Sequence, residues 1–76
     1  MKAVIQRVSE ARVIIDGEKI NEIGYGLLVF IGIFRDDDDQ DIEYLIQKTG
    51  GLRIFNDKNN IMNLTIQDIE GSALVV

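Results

Sequence analysis

Glu22-Ile-Gly-Tyr-Gly-Leu-Leu-Val-Phe-Ile-Gly-Ile-Phe34 contains the longest uninterrupted apolar run of the chain, and Leu27 to Ile31 carry no charge. β-Branched and aromatic residues dominate the run, while Gly24, Gly26 and Gly32 mark its ends. That composition predicts a central strand covered on both faces. Crossing a bilayer takes roughly 20 apolar residues, so the run is too short to span a membrane.

Upstream of it, Met1 to Val8 reads as a first strand, broken at Ser9-Glu10. Ala11 to Ile15 then alternates with near period two, as a strand does. Asp16-Gly17 separates this segment from Glu18 to Ile23, and an Asp-Gly pair between strands favours a two-residue hairpin in which both residues take positive φ. Gly24-Tyr25-Gly26 forms a turn or bulge into the central strand.

Downstream, Asp36-Asp37-Asp38-Asp39-Gln40-Asp41 changes the composition abruptly. Calcium loops place ligands at alternating positions, with glycine at the sixth and glutamate at the twelfth, and this stretch has neither. The aspartates instead suit the first turn of a helix, where they face the positive end of its dipole. Ile42, Leu45, Ile46 and Thr49 recur at helical spacing, so an amphipathic helix over about residues 41–49 is expected, closed at Gly50-Gly51 by a residue able to turn left-handed. Leu52 to Phe55 reads as a short strand and Asn56 to Asn60 as a polar turn leading back through Ile61 to Leu64. Thr65 to Glu70 reads as a loop with one helical turn, and Ala73 to Val76 as a last strand. An apolar strand at the end of the chain suggests the first part of a longer one. The expected fold is therefore α+β: one domain over residues 1–76, a mainly antiparallel, barrel-like sheet with one amphipathic helix, incomplete at its C-terminus.

A chain of 76 residues buries only about 60% of its unfolded surface, which leaves a thin margin of stability. Cysteine and histidine are both absent, which excludes disulfide staples, thiolate nucleophiles and Cys/His zinc sites. Gln6 and Arg7 interrupt the opening apolar residues, unlike a signal peptide, so a cytoplasmic protein is expected. The net charge is −5, with five basic and four acidic residues over 1–35 against three and nine over 36–76. Such a balance is unsuited to gripping a phosphate backbone by charge, so if a nucleic acid is involved the contact is expected at its end and not along a duplex.

No catalytic constellation assembles from the residue types present. Ser9 and Ser72 have no histidine to activate them, and Lys2, Lys19, Lys48 and Lys58 lie in polar sequence. Asp57 and Asp68 cannot be paired from sequence, and Gly24-Tyr25-Gly26 precedes a strand, not the helix that a phosphate loop needs. Arg7, within an apolar strand, is either an edge residue reaching water or a fixed donor to a backbone or carboxylate group, and Arg53 has the same two readings.

Taken in order, Met1 to Val8, Val13 to Gly17, Ile23 to Val29, Gly51 to Phe55, Met62-Asn63-Leu64 and Leu74-Val75-Val76 resemble the N-terminal half of the D-aminoacyl-tRNA deacylases, also called D-tyrosyl-tRNA deacylases. Tyr25 stands where that family often has proline. The resemblance implies a homodimeric enzyme that hydrolyses the ester between a D-amino acid, or glycine, and the terminal adenosine of tRNA. It further implies a pocket at the dimer interface, a Gly-cis-Pro motif that excludes L-residues, and catalysis by main-chain groups and the tRNA 2′-hydroxyl. No metal or cofactor is implied. The family's Ser-Gln-Phe-Thr-Leu pocket segment would begin just after Val76, so no catalytic residue is expected within these 76. Arg7 alone matches a family residue near the site, as a support for the Gly-cis-Pro loop, and Leu74 to Val76 would deliver the pocket segment. The alternative is a non-catalytic domain whose apolar strands serve only to dimerise.

Overall fold

A computed structural model describes every residue from Met1 to Val76. The elements follow as β1 (Lys2–Val8), β2 (Ala11–Ile15), β3 (Glu18–Ile23), β4 (Gly26–Gly32), α1 (Asp39–Gly50), β5 (Phe55–Asn56), β6 (Met62–Leu64) and β7 (Ser72–Val75). Asp16 and Gly17 take φ of 52° and 77°, so β2 and β3 close as the antiparallel hairpin that the Asp-Gly pair predicts, with a bulge between Val13 and Ile14.

The central strand is β4. On one side β1 pairs with it antiparallel, setting Ala3 opposite Ile31, Ile5 opposite Val29 and Arg7 opposite Leu27. On the other side lies β7, parallel, with Leu28 opposite Leu74. The parallel partner departs from an otherwise antiparallel arrangement, and it is reached only after the chain has crossed through α1 and the β5–β6 hairpin. Gly26 permits the approach, because a Cβ there would collide with the Ser72 carbonyl oxygen.

One face of β4 is covered and the other only in part. Leu27 and Val29 are buried with Phe55, and Ala3, Ile5, Ile31, Ile54, Leu64, Ile66 and Ile69 pack around them. On the opposite face Leu74 is buried where β3 comes near β7, but Phe30 remains 43% exposed and its neighbour across the ladder, Val4, 53%. The expected burial on both faces therefore holds at the start of β4 and fails at its end, because no element crosses the second face beyond Leu74.

The helix begins two residues earlier than the apolar spacing predicts. Asp38 caps it by accepting from the Asp41 N–H at 3.1 Å, while the Asp41 carboxylate accepts from the Asp38 N–H at 3.0 Å. Gly51 closes it with φ −90°, not left-handed, and its N–H reaches the Gln47 carbonyl. No helical residue is fully buried; Leu45 and Thr49 look onto Val29 and Ile31 across a hollow of about 230 Å³.

The strand expected over Leu52 to Phe55 is confined to Phe55–Asn56, since Leu52 to Ile54 have no ladder partner. The Ile54 carbonyl is taken by a side chain instead. Thr65 and Asp68 cap the single turn that follows β6, each accepting from the other's backbone N–H, at 3.2 and 2.9 Å. No helix is long and apolar enough to cross a membrane.

Candidate functional site

Seven residues of β1 carry Arg7 from the N-terminus to the far end of the central ladder, opposite Leu27. Alternation puts its side chain on the face of Ala3 and Ile5, toward the buried cluster. The guanidinium crosses to the segment before β5, where Nη1 donates to the Ile54 carbonyl at 2.8 Å and approaches Asn56 Oδ1 at 3.5 Å. The second distance is at the outer limit for a hydrogen bond, so the Ile54 contact fixes the group. Both readings open to Arg7 hold in part: it is exposed on the edge strand β1 and it donates to a backbone carbonyl.

The contact sits on an anchored platform. Phe55, next to Ile54, is fully buried and meets the Tyr25 ring edge-on, with centroids 5.2 Å apart and planes at 65°. Asn56 Nδ2 donates to Asn60 Oδ1 at 3.0 Å, and Asn60 holds φ 62°. Asp57 closes the same turn by accepting from the N–H groups of Asn59 and Ile61 at 2.8 and 3.1 Å. Arg7 therefore ties β1 to a rigid hairpin. Its Nε and Nη2 bond to no other group of the chain, and no carboxylate lies in ion-pair range, so one arm of the planar fork is free to meet another carbonyl.

The remaining candidates do not come together. Lys19 lies 3.4 Å from Glu22, and Lys48 sits over the Tyr44 ring at 5.5 Å from its centroid. Asp57 and Asp68 each serve their own turn. The Thr65 backbone and hydroxyl groups hold the Asp68 carboxyl below its ordinary value, with Arg53 adding a smaller attraction through space. Arg53 makes no ion pair of its own. Ser72 donates its backbone N–H to the Tyr25 carbonyl at 3.3 Å as β7 begins. No three acidic side chains converge as a metal site would require.

Two open hollows flank the sheet. The one under α1 is lined by Val29, Ile31, Leu45, Ile46, Ala73 and Val75 among others. The second, about 300 Å³, lies on the opposite face between Lys2, Val4, Phe30, Phe34 and Val76. Both are predominantly apolar and neither contains a nucleophile with a base. Val76 is locked beside β4, donating to the Val29 carbonyl at 2.8 Å and accepting from the Ile31 N–H at 3.1 Å. The chemistry these residues can perform is positioning: a guanidinium presented on a braced loop, and a strand held in register at the sheet centre. Asn56 and Asn60 brace that loop without standing out in the sequence, where their signal is only a pair of asparagines around a polar turn.

The family model described as D-Tyr-tRNA(Tyr) deacylase matches residues 4–76. The D-aminoacyl-tRNA deacylase of Thermotoga petrophila is 51% identical over all 76 residues, which cover 51% of that protein. That of Geobacter sulfurreducens is also 51% identical, with 50% of it covered. Among solved structures, one named c-Myc DNA Unwinding Element Binding Protein superposes with a TM-score of 0.94 at 36% identity, over 99% of this chain and 51% of the other. The chain thus spans about half the length of the curated relatives it matches.

Proposed function

Because the chain belongs to the D-Tyr-tRNA(Tyr) deacylase family, we propose that it is the N-terminal half of an enzyme that removes D-amino acids, or glycine, from tRNA. The observation that carries this reading is the family match over residues 4–76, joined to relatives of about twice the length. In the reaction, water adds to the carbonyl carbon of the ester. The bond to the terminal ribose oxygen breaks, and that oxygen leaves with a proton, giving free tRNA and the amino acid.

In this reading the chain supplies the scaffold. Arg7 uses Nη1 to hold the Ile54 carbonyl and offers the rest of its fork to a backbone carbonyl of the Gly-cis-Pro loop, so it acts as a positioning residue and not as a catalytic one. β7 ends at Val75, and Val76, held by its hydrogen bonds to Val29 and Ile31, leads on toward the pocket segment. The partners are the 3′ end of an aminoacyl-tRNA and a second copy of the protein, in the cytoplasm. A net charge of −5 agrees with contact confined to the tRNA end.

The test is hydrolysis of D-tyrosyl-tRNA and L-tyrosyl-tRNA by the full-length gene product and by the 76-residue chain. Turnover of the D-ester by the long form only is the expected result. A long form inert toward both esters, yet dimeric, would replace this reading with the interaction domain.

A further inference from the structure

The Gly24-Tyr25-Gly26 junction between β3 and β4 is held through its backbone and makes its own contact through the tyrosine ring. The Tyr25 carbonyl accepts from the Ser72 N–H at 3.3 Å, and a Cβ on Gly71 would stand 3.0 Å from that same oxygen. The start of β7 therefore crowds this residue and fixes it. Held in this way, the Tyr25 ring packs against Phe55 in an edge arrangement, with centroids 5.2 Å apart and planes at 65°. Tyr25 is 46% exposed and Phe55 wholly buried, so the tyrosine forms the rim of the core and the phenylalanine its interior. No side-chain hydrogen bond of the chain uses the Tyr25 hydroxyl, which leaves the ring as its contribution.

We propose that Tyr25 is a positioning residue, whose ring holds Phe55 so that the adjoining Ile54 carbonyl keeps the Arg7 guanidinium in place. Leu52 to Ile54 have no ladder partner, and the β5–β6 pairing shifts register directly after Phe55, so the ladder does little to fix that carbonyl. The buried Phe55 side chain is its anchor. The contacts close a circuit. Arg7 pairs with Leu27 across the ladder, Leu27 follows Tyr25 by two residues, Tyr25 packs on Phe55, and the Ile54 carbonyl accepts from Arg7 Nη1 at 2.8 Å. Removing the ring opens the circuit and lets the Ile54 carbonyl drift from the guanidinium. An aromatic pair shifts an equilibrium by a factor of about 2 to 10 beyond the effect of the surface it covers, which sets the size of the expected change. A proline in this turn would fix φ but offer no ring, so the tyrosine adds a link that the turn alone does not need. What Arg7 is held for rests on the deacylase reading, whereas the coupling of Tyr25 to Arg7 does not.

The experiment uses the full-length protein. Well below its Tm, Tyr25→Ala is expected to lower kcat/KM for D-tyrosyl-tRNA about fivefold, while Tyr25→Phe, which keeps the ring, stays within about twofold of the parent. In an Arg7→Lys background, Tyr25→Ala is expected to change the rate by less than about twofold, because the fork that it positions is already gone. A lowered Tm with an unchanged rate would reduce Tyr25 to packing and overturn the proposal, and so would losses that multiply in the double variant. If the parent protein leaves the D-ester intact, the deacylase reading falls and the coupling is read from urea unfolding. There the combined effect of Tyr25→Ala and Arg7→Ala is expected to differ from the product of the single effects by at least about twofold in the unfolding constant, and equality with that product would overturn the proposal. If Tyr25→Ala fails to fold, Tyr25→Leu, which keeps bulk without the ring, takes its place in both comparisons.

Discussion

Arg7 shows how one side chain changes meaning between sequence and structure. In the sequence it is an arginine in an apolar strand with two readings; in the fold its Nη1 is committed to the Ile54 carbonyl and the other arm of its fork is uncommitted. The two arms are separable by mutation. In the full-length protein Arg7→Lys keeps a donor for Ile54 but loses the planar fork, so stability is expected to hold within about 0.5 kcal/mol while deacylation of D-tyrosyl-tRNA falls about tenfold or more. Arg7→Ala is expected to lose both, with about 1 kcal/mol of stability gone in urea titration. At the same scale, Asp37 and Asp68 carry carboxyls held below the ordinary value of 3.8, the first mainly by the N-terminal ammonium and the second by the Thr65 amide. A depressed folded-state value means that the unfolded chain binds the proton more readily. Both residues therefore contribute stability above about pH 4, and that stability is lost as the pH falls below 3.8. Asp68→Asn is expected to flatten that acid limb of a Tm against pH curve while leaving the slope above pH 5 unchanged.

Among the elements, β4 bears most of the organisation, and Gly26 is its most constrained position. A Cβ there meets the backbone of Ser72, which cannot move aside as a side chain would. In the full-length protein, Gly26→Ala is expected to part β7 from β4 at a cost of about 3 kcal/mol, seen as loss of slow amide exchange at Leu74 and Val76 while the β2–β3 hairpin keeps its own. Locally encoded elements are readable from sequence: Asp16-Gly17 specifies its turn by backbone preference alone, and Ile42, Leu45, Ile46 and Thr49 specify a helix by spacing. Spacing misplaces the start of that helix because Asp38 and Asp41 cap each other, a reciprocal bond that apolar periodicity does not register. Leu52 to Ile54 misleads for a longer-range reason. Its composition suits a strand, but the Ile54 carbonyl is claimed by Arg7, 47 residues away. The parallel pairing of β7 with β4 is equally hidden, since it joins segments that only the completed fold brings together. The family resemblance singles out Arg7, and only the structure supplies its partner, the Ile54 carbonyl.

At the scale of the whole molecule, the chain is a thin slab, 43 × 35 × 15 Å, with a radius of gyration of 13.8 Å. A typical domain of this length has a radius of about 11 Å. Its accessible surface of 5929 Å² likewise exceeds the roughly 4,700 Å² usual for the mass. Only five residues are buried, while Phe30, Phe34, Ile42 and Ile46 are 43% to 65% exposed. By itself the chain is expected to bind a hydrophobic dye and to unfold in urea with less than about 3 kcal/mol of stability, values that a longer protein covering these faces would improve. The central claim is that these residues build the frame of a deacylase whose pocket is supplied by further polypeptide. It is tested most directly by joining the chain at Val76 to the second half of the Thermotoga petrophila relative and measuring release of D-tyrosine and L-tyrosine from tRNA. The account predicts release of D-tyrosine only, and only by the joined protein. Release by the 76 residues alone, or a folded joined protein that spares the D-ester, would contradict it.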